Sequence, residues 1–446
     1  MSSVEQFGYR EQLHRSLSTR DLIVYGMIFM VPIAPFAVFG FVWDTARGMV
    51  PLAYLVGLIG MLFTAMSYAA MSRAFPLAGS VYTYAGRGLH EVAGFFAGWL
   101  ILLDYILVPA LLYVFSAVAL AGLMPAVPEW AWLLVFVIFN LFVNLRGIHF
   151  TAQVNWYLLL LELATLALFV ILGLLALHRG LGAGALTLKP VFDPAVFSPA
   201  TVVGATSIAV LSFLGFDGIS TLAEESKGGL NSVARATIFS LILVGVLFIA
   251  QTWIATDLAH GMKFDSPATA FYEIAERAGG SGLRLLTILA VVVSNGIANA
   301  MVAQAAVSRI LFAMARDGKL PSVLARIHPR YKSPYISALL VSGISLIVGI
   351  AFAERLDALT SIVNFGALCS FLLLHVAVVN YFMRRQASRN WLRHLLCPAL
   401  GFIVIAFVLF EMDRAAKIMG ACWILLGVIY YLILTLVLKR KTTLEI

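Results

Sequence analysis

Apolar runs separated by short polar stretches alternate along the whole chain, and twelve of them approach or exceed the roughly 20 residues a helix needs to cross a bilayer core about 30 Å thick. They lie near residues 22–43, 50–71, 93–121, 130–145, 154–177, 202–223, 237–256, 284–308, 336–353, 358–382, 397–410 and 418–438. The runs are continuous rather than alternating, which predicts helices and excludes a transmembrane β-barrel. The third run is long and the fourth short, so tilt or re-entry is expected there. The pattern predicts an all-α integral membrane protein of about 12 transmembrane helices.

Two runs in corresponding positions, the first and the sixth, carry breaks. Pro32 and Pro35 stand at mid-membrane depth in the first, and each removes a backbone donor. In the sixth, Gly215, Asp217 and Gly218 interrupt an otherwise apolar span. Irregular backbone at that depth is tolerated only where it is buried in protein or lines a cavity. Two such segments five spans apart predict a five-plus-five inverted-repeat fold with broken helices 1 and 6 around a central substrate site. The organisation expected is a cytoplasmic segment over 1–20, a transporter core over 21–383 holding spans 1–5 and 6–10, peripheral spans 11 and 12 over 384–438, and a tail over 439–446. Residues 30–40 and 211–218 are expected to be unwound and to face each other.

Composition agrees. The 446 residues are 62% hydrophobic and 12% charged, against about 25% charged in a soluble domain, so soluble enzymes, nucleic-acid binders and secreted disulfide modules are excluded. The net charge of +8 is about orientation: with a cytoplasmic N-terminus, 21 of the 30 Lys and Arg fall on the inner side, and an even span count puts both termini there. Cys369, Cys397 and Cys422 lack metal-ligand spacing, so no metal and no cofactor is expected. Met1 to Arg20 lacks the apolar core of a signal peptide, so the first run is expected to persist in the mature chain.

Acids are the candidate chemistry. Asp104, Glu162 and Asp217 lie well inside spans, and Glu224 and Glu225 sit at the cytoplasmic end of the sixth. A charge at a helix centre costs on the order of 2.5–3.5 kcal/mol by insertion scales, so each needs a partner or a function. Asp217, at the break, is placed to accept an ammonium. Neighbours on a helix diverge by about 100°, which favours Tyr105 over Asp104 as the residue facing the break. With Phe213 and Phe216 these form a candidate aromatic cage for a cation. Glu162 reads first as a structural group, either hydrogen-bonded to a neighbouring helix or a neutral buried acid, and second as a coupling residue. Pro32 and Pro35 offer no N–H, and no glycine lies between Gly26 and Gly40. An anion cradle for a substrate carboxylate is therefore poorly equipped in the first break, which favours an amine over an amino acid.

Several stretches together resemble one family. Phe75-Pro76-Leu77-Ala78-Gly79-Ser80-Val81-Tyr82-Thr83-Tyr84, the run from Gly98 through Asp104 and Tyr105 to Pro109, Ser212 to Gly218 with Glu224 and Glu225, and Ser308 to Pro321 resemble the amino acid, polyamine and organocation (APC) permeases over roughly residues 15–440. The Leu-Leu-Asp-Tyr run ending at Tyr105, the Ser212–Asp217 run and Val363-Asn364-Phe365-Gly366-Ala367-Leu368 are most similar to the bacterial putrescine importers. Where those importers carry an aspartate in the broken part of span one, this chain reads Phe36-Ala37-Val38.

The resemblance implies a secondary transporter of a bacterial-type cytoplasmic membrane, not an enzyme, importing an amine or polyamine such as putrescine. The alternatives are an amino acid permease or exchanger of the same fold and, remotely, a non-transporting sensor. It implies a substrate site at Ala34, Pro35, Asp104, Tyr105, Phe213, Gly215, Phe216 and Asp217, with Glu225 and Asn364 in coupling or gating; Glu162 joins the coupling candidates as a mid-span acid and not through the resemblance. No ATP-binding loop occurs. Coupling to protons is expected, with Glu162, Asp217, Glu225 or His375 as carriers; a sodium site at Ser294 and Asn295 is a weaker pattern. Beyond the solute, protons and the lipid bilayer, no partner and no nucleic acid is expected. Neither the repeated pore loop of a channel nor the HExxH-type motif of an intramembrane enzyme is present.

Overall fold

The computed structural model describes residues 7–8, 12–267, 269–352, 356–412 and 414–437. Among these, α-helix dominates; no β-sheet forms, and one isolated bridge pairs Leu17 with Ser226. In chain order the helices are α1 (Thr19–Met30), α2 (Pro35–Ala46), α3 (Val50–Ala74), α4 (Ser80–Gly88), α5 (Glu91–Leu123), α6 (Glu129–Leu145), α7 (Ile148–His178), α8 (Pro199–Ala209), α9 (Leu230–Leu258), α10 (Ala270–Val293), α11 (Ala300–Arg316), α12 (Tyr335–Phe352), α13 (Leu356–Val378), α14 (Cys397–Glu411) and α15 (Arg414–Leu432). Ten helical stretches of the described residues are long and apolar enough to cross a membrane, or eleven when α1 and α2 count as one bent span; α6 is a shorter apolar helix.

The first break has a local cause. Helix α1 starts at a capping box, Asp21 N–H donating to Ser18 Oγ at 3.3 Å and Ser18 N–H to Asp21 Oδ2 at 2.9 Å. It ends at Val31, a β-branched residue at φ 53°, a conformation that strains such a side chain. After Pro32 and Ile33 the chain restarts at Pro35, in the first turn of α2, where the missing N–H is no loss and the fixed φ suits a helix start. The two axes meet at 51°. The irregular stretch is therefore Val31–Ala34, narrower than residues 30–40, and Phe36, Ala37 and Val38 are helical. Gln251 of α9 donates from Nε2 to the Pro32 carbonyl at 2.9 Å, satisfying an acceptor the break exposes.

In the second break, α8 passes into 3-10 geometry over Val210–Phe213, leaves it at Leu214 and Gly215, and resumes as a 3-10 stretch over Phe216–Glu225. Gly215 has φ +114°, and a Cβ there would stand 2.7 Å from the carbonyl oxygen of Phe29; one on Gly218 would stand 2.2 Å from the Phe29 ring. The absence of both side chains lets the end of α1 seat directly on this stretch.

Span eight is longer than its apolar run. Ala270–Arg316 is a helical stretch of 47 residues kinked at Gly280, whose φ of 76° is not helical, with π geometry over Ser294–Asn299. The apolar run starts late because Glu273, Glu276, Arg277 and Arg284 lie on α10, where Arg284 Nη1 and Glu276 Oε2 pair at 2.7 Å. Helix α15 is tied to α5 by Trp99 and Trp423: the rings stack 4.7 Å apart, and each indole N–H donates to the other residue's backbone carbonyl, at 2.9 and 2.8 Å. Leu425, Leu426, Ile429 and Leu432 on α15 are exposed, as befits a helix facing lipid tails.

Candidate functional site

The candidate site is assembled by α1, α3, α5, the 3-10 stretch and α13. Tyr105 of α5 donates from its hydroxyl to Asp217 Oδ2, and both side chains are buried, at 2% and 1% exposure. Phe29 packs its ring 5.7 Å from that of Tyr105. On the other side, Tyr68 of α3 meets Phe216, Tyr84 and Phe371 edge-on at 5.8, 5.9 and 5.7 Å. Its hydroxyl is buried with no hydrogen-bond partner. The Asp217 carbonyl accepts from Ser220 Oγ at 2.6 Å, and Ser220 Oγ lies 2.7 Å from Ser80 Oγ of α4. These bonds fix the start of the 3-10 stretch against α4, holding the carboxylate in one place.

No Lys, Arg or His is hydrogen-bonded or ion-paired to Asp217 or Asp104 among the described residues. Asp104 is buried at 4% exposure on the turn that carries Tyr105. A Cβ on Gly366 of α13 would stand 2.4 Å from the Leu100 carbonyl oxygen and 3.1 Å from Asp104 N, so α13 lies directly on α5 there. Asn364 is buried on the same helix.

Phe213 stands apart, packed against Tyr54 and Phe248 at 6.0 and 5.1 Å. Tyr68 and Phe29, which no sequence signal marks, are the aromatics that meet Phe216 and Tyr105. Ala34 closes the first break, half-buried, and Pro35 is buried at the start of α2. In that break the N–H groups of Val31 and Ala34 bond to Ile28 and Val31 carbonyls, and Pro32 and Pro35 have none.

At the other end of the 3-10 stretch the acids are paired. Glu225 takes Arg309 Nε and Nη2 at 2.8 and 2.9 Å, a buried bidentate pair. Glu224 takes both terminal nitrogens of Arg316 at 3.0 Å and the Ala78 N–H at 3.0 Å. The Glu225 carbonyl accepts from Ser16 N and Leu17 N, each at 3.0 Å. Tyr82 Oη donates to Asp317 Oδ2 at 2.7 Å, and Lys319 pairs with Glu91. These bonds join the N-terminal segment, α4, α5, α11 and the 3-10 stretch into one closed face.

Glu162 differs from these acids. It lies on α7 at 1% exposure, and neither of its carboxyl oxygens makes a hydrogen bond among the described residues. The Ser294 hydroxyl, on the π segment, lies beside it and is also unbonded. Two turns along α7, Asn155 is fully buried with both amide atoms unpartnered. His375 is held at both ring nitrogens, by Thr64 Oγ1 at 3.2 Å and Ser67 Oγ at 3.0 Å.

Comparison with known proteins adds to this geometry. The sequence matches the family model for amino acid permeases over residues 20–438. It is 30% identical to the low-affinity putrescine importer PlaP of Escherichia coli (strain K12), over 94% of each chain. It is 26% identical to the branched-chain amino acid permease BcaP of Bacillus subtilis (strain 168), over 94% of this chain and 93% of that one, and 24% identical, with the same coverage, to a methylthioribose transporter of that organism. The chain belongs to the amino acid permease family of the APC superfamily, and is a multi-pass membrane transporter of a small organic solute rather than an enzyme.

Proposed function

We propose that this protein is a proton-coupled importer of amines, with putrescine the type substrate, built from twelve spans as a five-plus-five inverted repeat with both termini in the cytoplasm of a bacterial-type cell. The twelfth span on this reading is α6, and the spans beyond residue 383 are peripheral to the core. The observation that carries it is Asp217: a buried carboxylate at a helix break, oriented by Tyr105, with no basic side chain bonded to it. An ammonium group is the natural complement, since a charged hydrogen bond made away from water is worth about 1.5–3 kcal/mol. The first break supports an amine over an amino acid, because Val31 and Ala34 spend their N–H groups on nearby carbonyls and Pro32 has none, leaving the Ile33 N–H as the one donor of Val31–Ala34 to meet a substrate carboxylate.

Proton coupling is supported by elimination among the buried titratable groups. Glu225 is held by Arg309, His375 by two hydroxyls and Asp217 by Tyr105. Glu162 alone of the four has no partner, and a carboxyl group that binds and releases a proton at that depth supplies what a proton-coupled carrier needs. The closed ion-pair face from Glu91 to Arg316 acts as the cytoplasmic gate. The test is uptake of radiolabelled putrescine into liposomes containing the purified protein: saturable uptake stimulated by an inward proton gradient supports the reading. Uptake of leucine with none of putrescine overturns it.

A further inference from the structure

Resting on the reading of the site as an amine site, the geometry points to Asp104 and the Tyr105 carbonyl as the receptor for the second ammonium of an α,ω-diamine, so that the substrate is held at both ends. A diamine needs two acceptors, and the first break supplies no acid: residues 30–40 contain none, and position 37 is a helical alanine. Of the remaining acids near the break, Glu225 is consumed by its bidentate pair with Arg309. Asp104 is free: it is buried and makes no hydrogen bond or ion pair among the described residues. It neighbours Tyr105, the partner of Asp217, on the same turn of α5, and the Asp217 carboxylate acts on it electrostatically.

Two buried acids with no basic side chain bonded to either can each supply a negative charge to an ammonium that enters, so a dication can be matched at both ends and a monoamine at only one. Backbone chemistry adds a second acceptor. Pro109 lies inside α5, so the carbonyl four residues earlier, that of Tyr105, receives no helical N–H. Tyr105 therefore presents its hydroxyl to Asp217 and, on its own turn, a carbonyl relieved of the bond that an N–H at position 109 would make, while Asp104 leaves the helix about 100° away. That divergence suits two separated ammonium positions better than one. Gly366 fixes the far side: with α13 seated against Asp104 N and the Leu100 carbonyl, this turn of α5 cannot retreat from the site.

The test compares competition by putrescine and by n-butylamine, which has the same four-carbon chain and one ammonium, against labelled putrescine uptake in liposomes. In the parent, putrescine is expected to compete more tightly than butylamine. In Asp104→Asn, putrescine is expected to weaken about tenfold or more while butylamine is unchanged, so that the preference collapses. If Asp104→Asn, correctly folded by its melting curve, keeps the parent's ratio, the inference fails. If the variant does not fold, the parent decides by chain length. A two-point site favours each of 1,3-diaminopropane, putrescine and cadaverine over its matching monoamine with an optimum length, whereas monoamines binding more tightly than diamines overturns it. Failure of the underlying amine reading looks different: neither amine competes in the parent, or Asp217→Asn leaves both competing as before.

Discussion

At the residue scale the site rests on one hydrogen bond between positions 112 residues apart, Tyr105 and Asp217. Asp217→Asn keeps the shape and removes the charge, so on the amine reading apparent affinity is expected to fall by about 1.5–3 kcal/mol; inhibition constants from liposome uptake would measure it. Both residues were legible in the sequence, Asp217 because an acid between two glycines inside a span needs a reason, Tyr105 because it follows an intramembrane aspartate. Phe29, Tyr68 and Gln251 were not. Each is an ordinary residue in an apolar helix, and what distinguishes it is a neighbour from a distant part of the chain, which hydropathy does not encode. Glu162 was legible as a buried acid, but that its neighbour is the Ser294 hydroxyl of a π segment more than a hundred residues away was not.

At the scale of elements, the sequence marked the neighbourhood of both interruptions and overstated their extent: the first narrows to Val31–Ala34, and of residues 211–218 all but Leu214 and Gly215 are in 3-10 turns. Proline disrupts the helix before it and is well suited to begin the next, so Pro35 starts α2 instead of prolonging the irregular stretch. In the second break, Gly215→Ala forces a side chain to φ +114° and within 2.7 Å of a Phe29 backbone atom. A loss of about 1–3 kcal/mol in stability is expected from such overpacking, read as a lower melting temperature, with transport reduced further because α1 is pushed off the 3-10 stretch. The pairing of the 3-10 stretch with α11 makes a second expectation. Arg309→Met leaves Glu225 buried and unpaired, which typically costs about 3–5 kcal/mol, whereas adding Glu225→Gln should recover most of it because the stranded charge is gone. Equal melting temperatures for the single and double variants would show that the pair does not hold this end of the stretch. Arg309 was visible as a basic residue after an apolar run, but only the fold shows it turned inward to Glu225.

At the scale of the whole molecule, two polar systems run through an otherwise apolar bundle. One follows the 3-10 stretch from Asp217 to the ion-paired face at Glu224 and Glu225. The other lies along α7, where Glu162 and Asn155 meet neither each other nor a partner and Ser294 stands unbonded beside Glu162. Their separation suggests a division of labour, with the substrate bound in the first and the coupling proton carried in the second. The π geometry of Ser294–Asn299 joins them, since this segment packs against both α1 and α7. On that reading Glu162→Gln, which keeps the size and polarity of the side chain but cannot exchange a proton, separates coupling from binding. Uphill putrescine uptake driven by an inward proton gradient is expected to be lost, while exchange of internal for external putrescine, which needs no net proton movement, continues at a rate near the parent's. The contrast between the two assays in one preparation of liposomes makes the measurement independent of how much protein is folded. A variant that still accumulates putrescine in proportion to the imposed gradient would move the coupling proton away from α7 and back to the site carboxylates, Asp217 and Asp104.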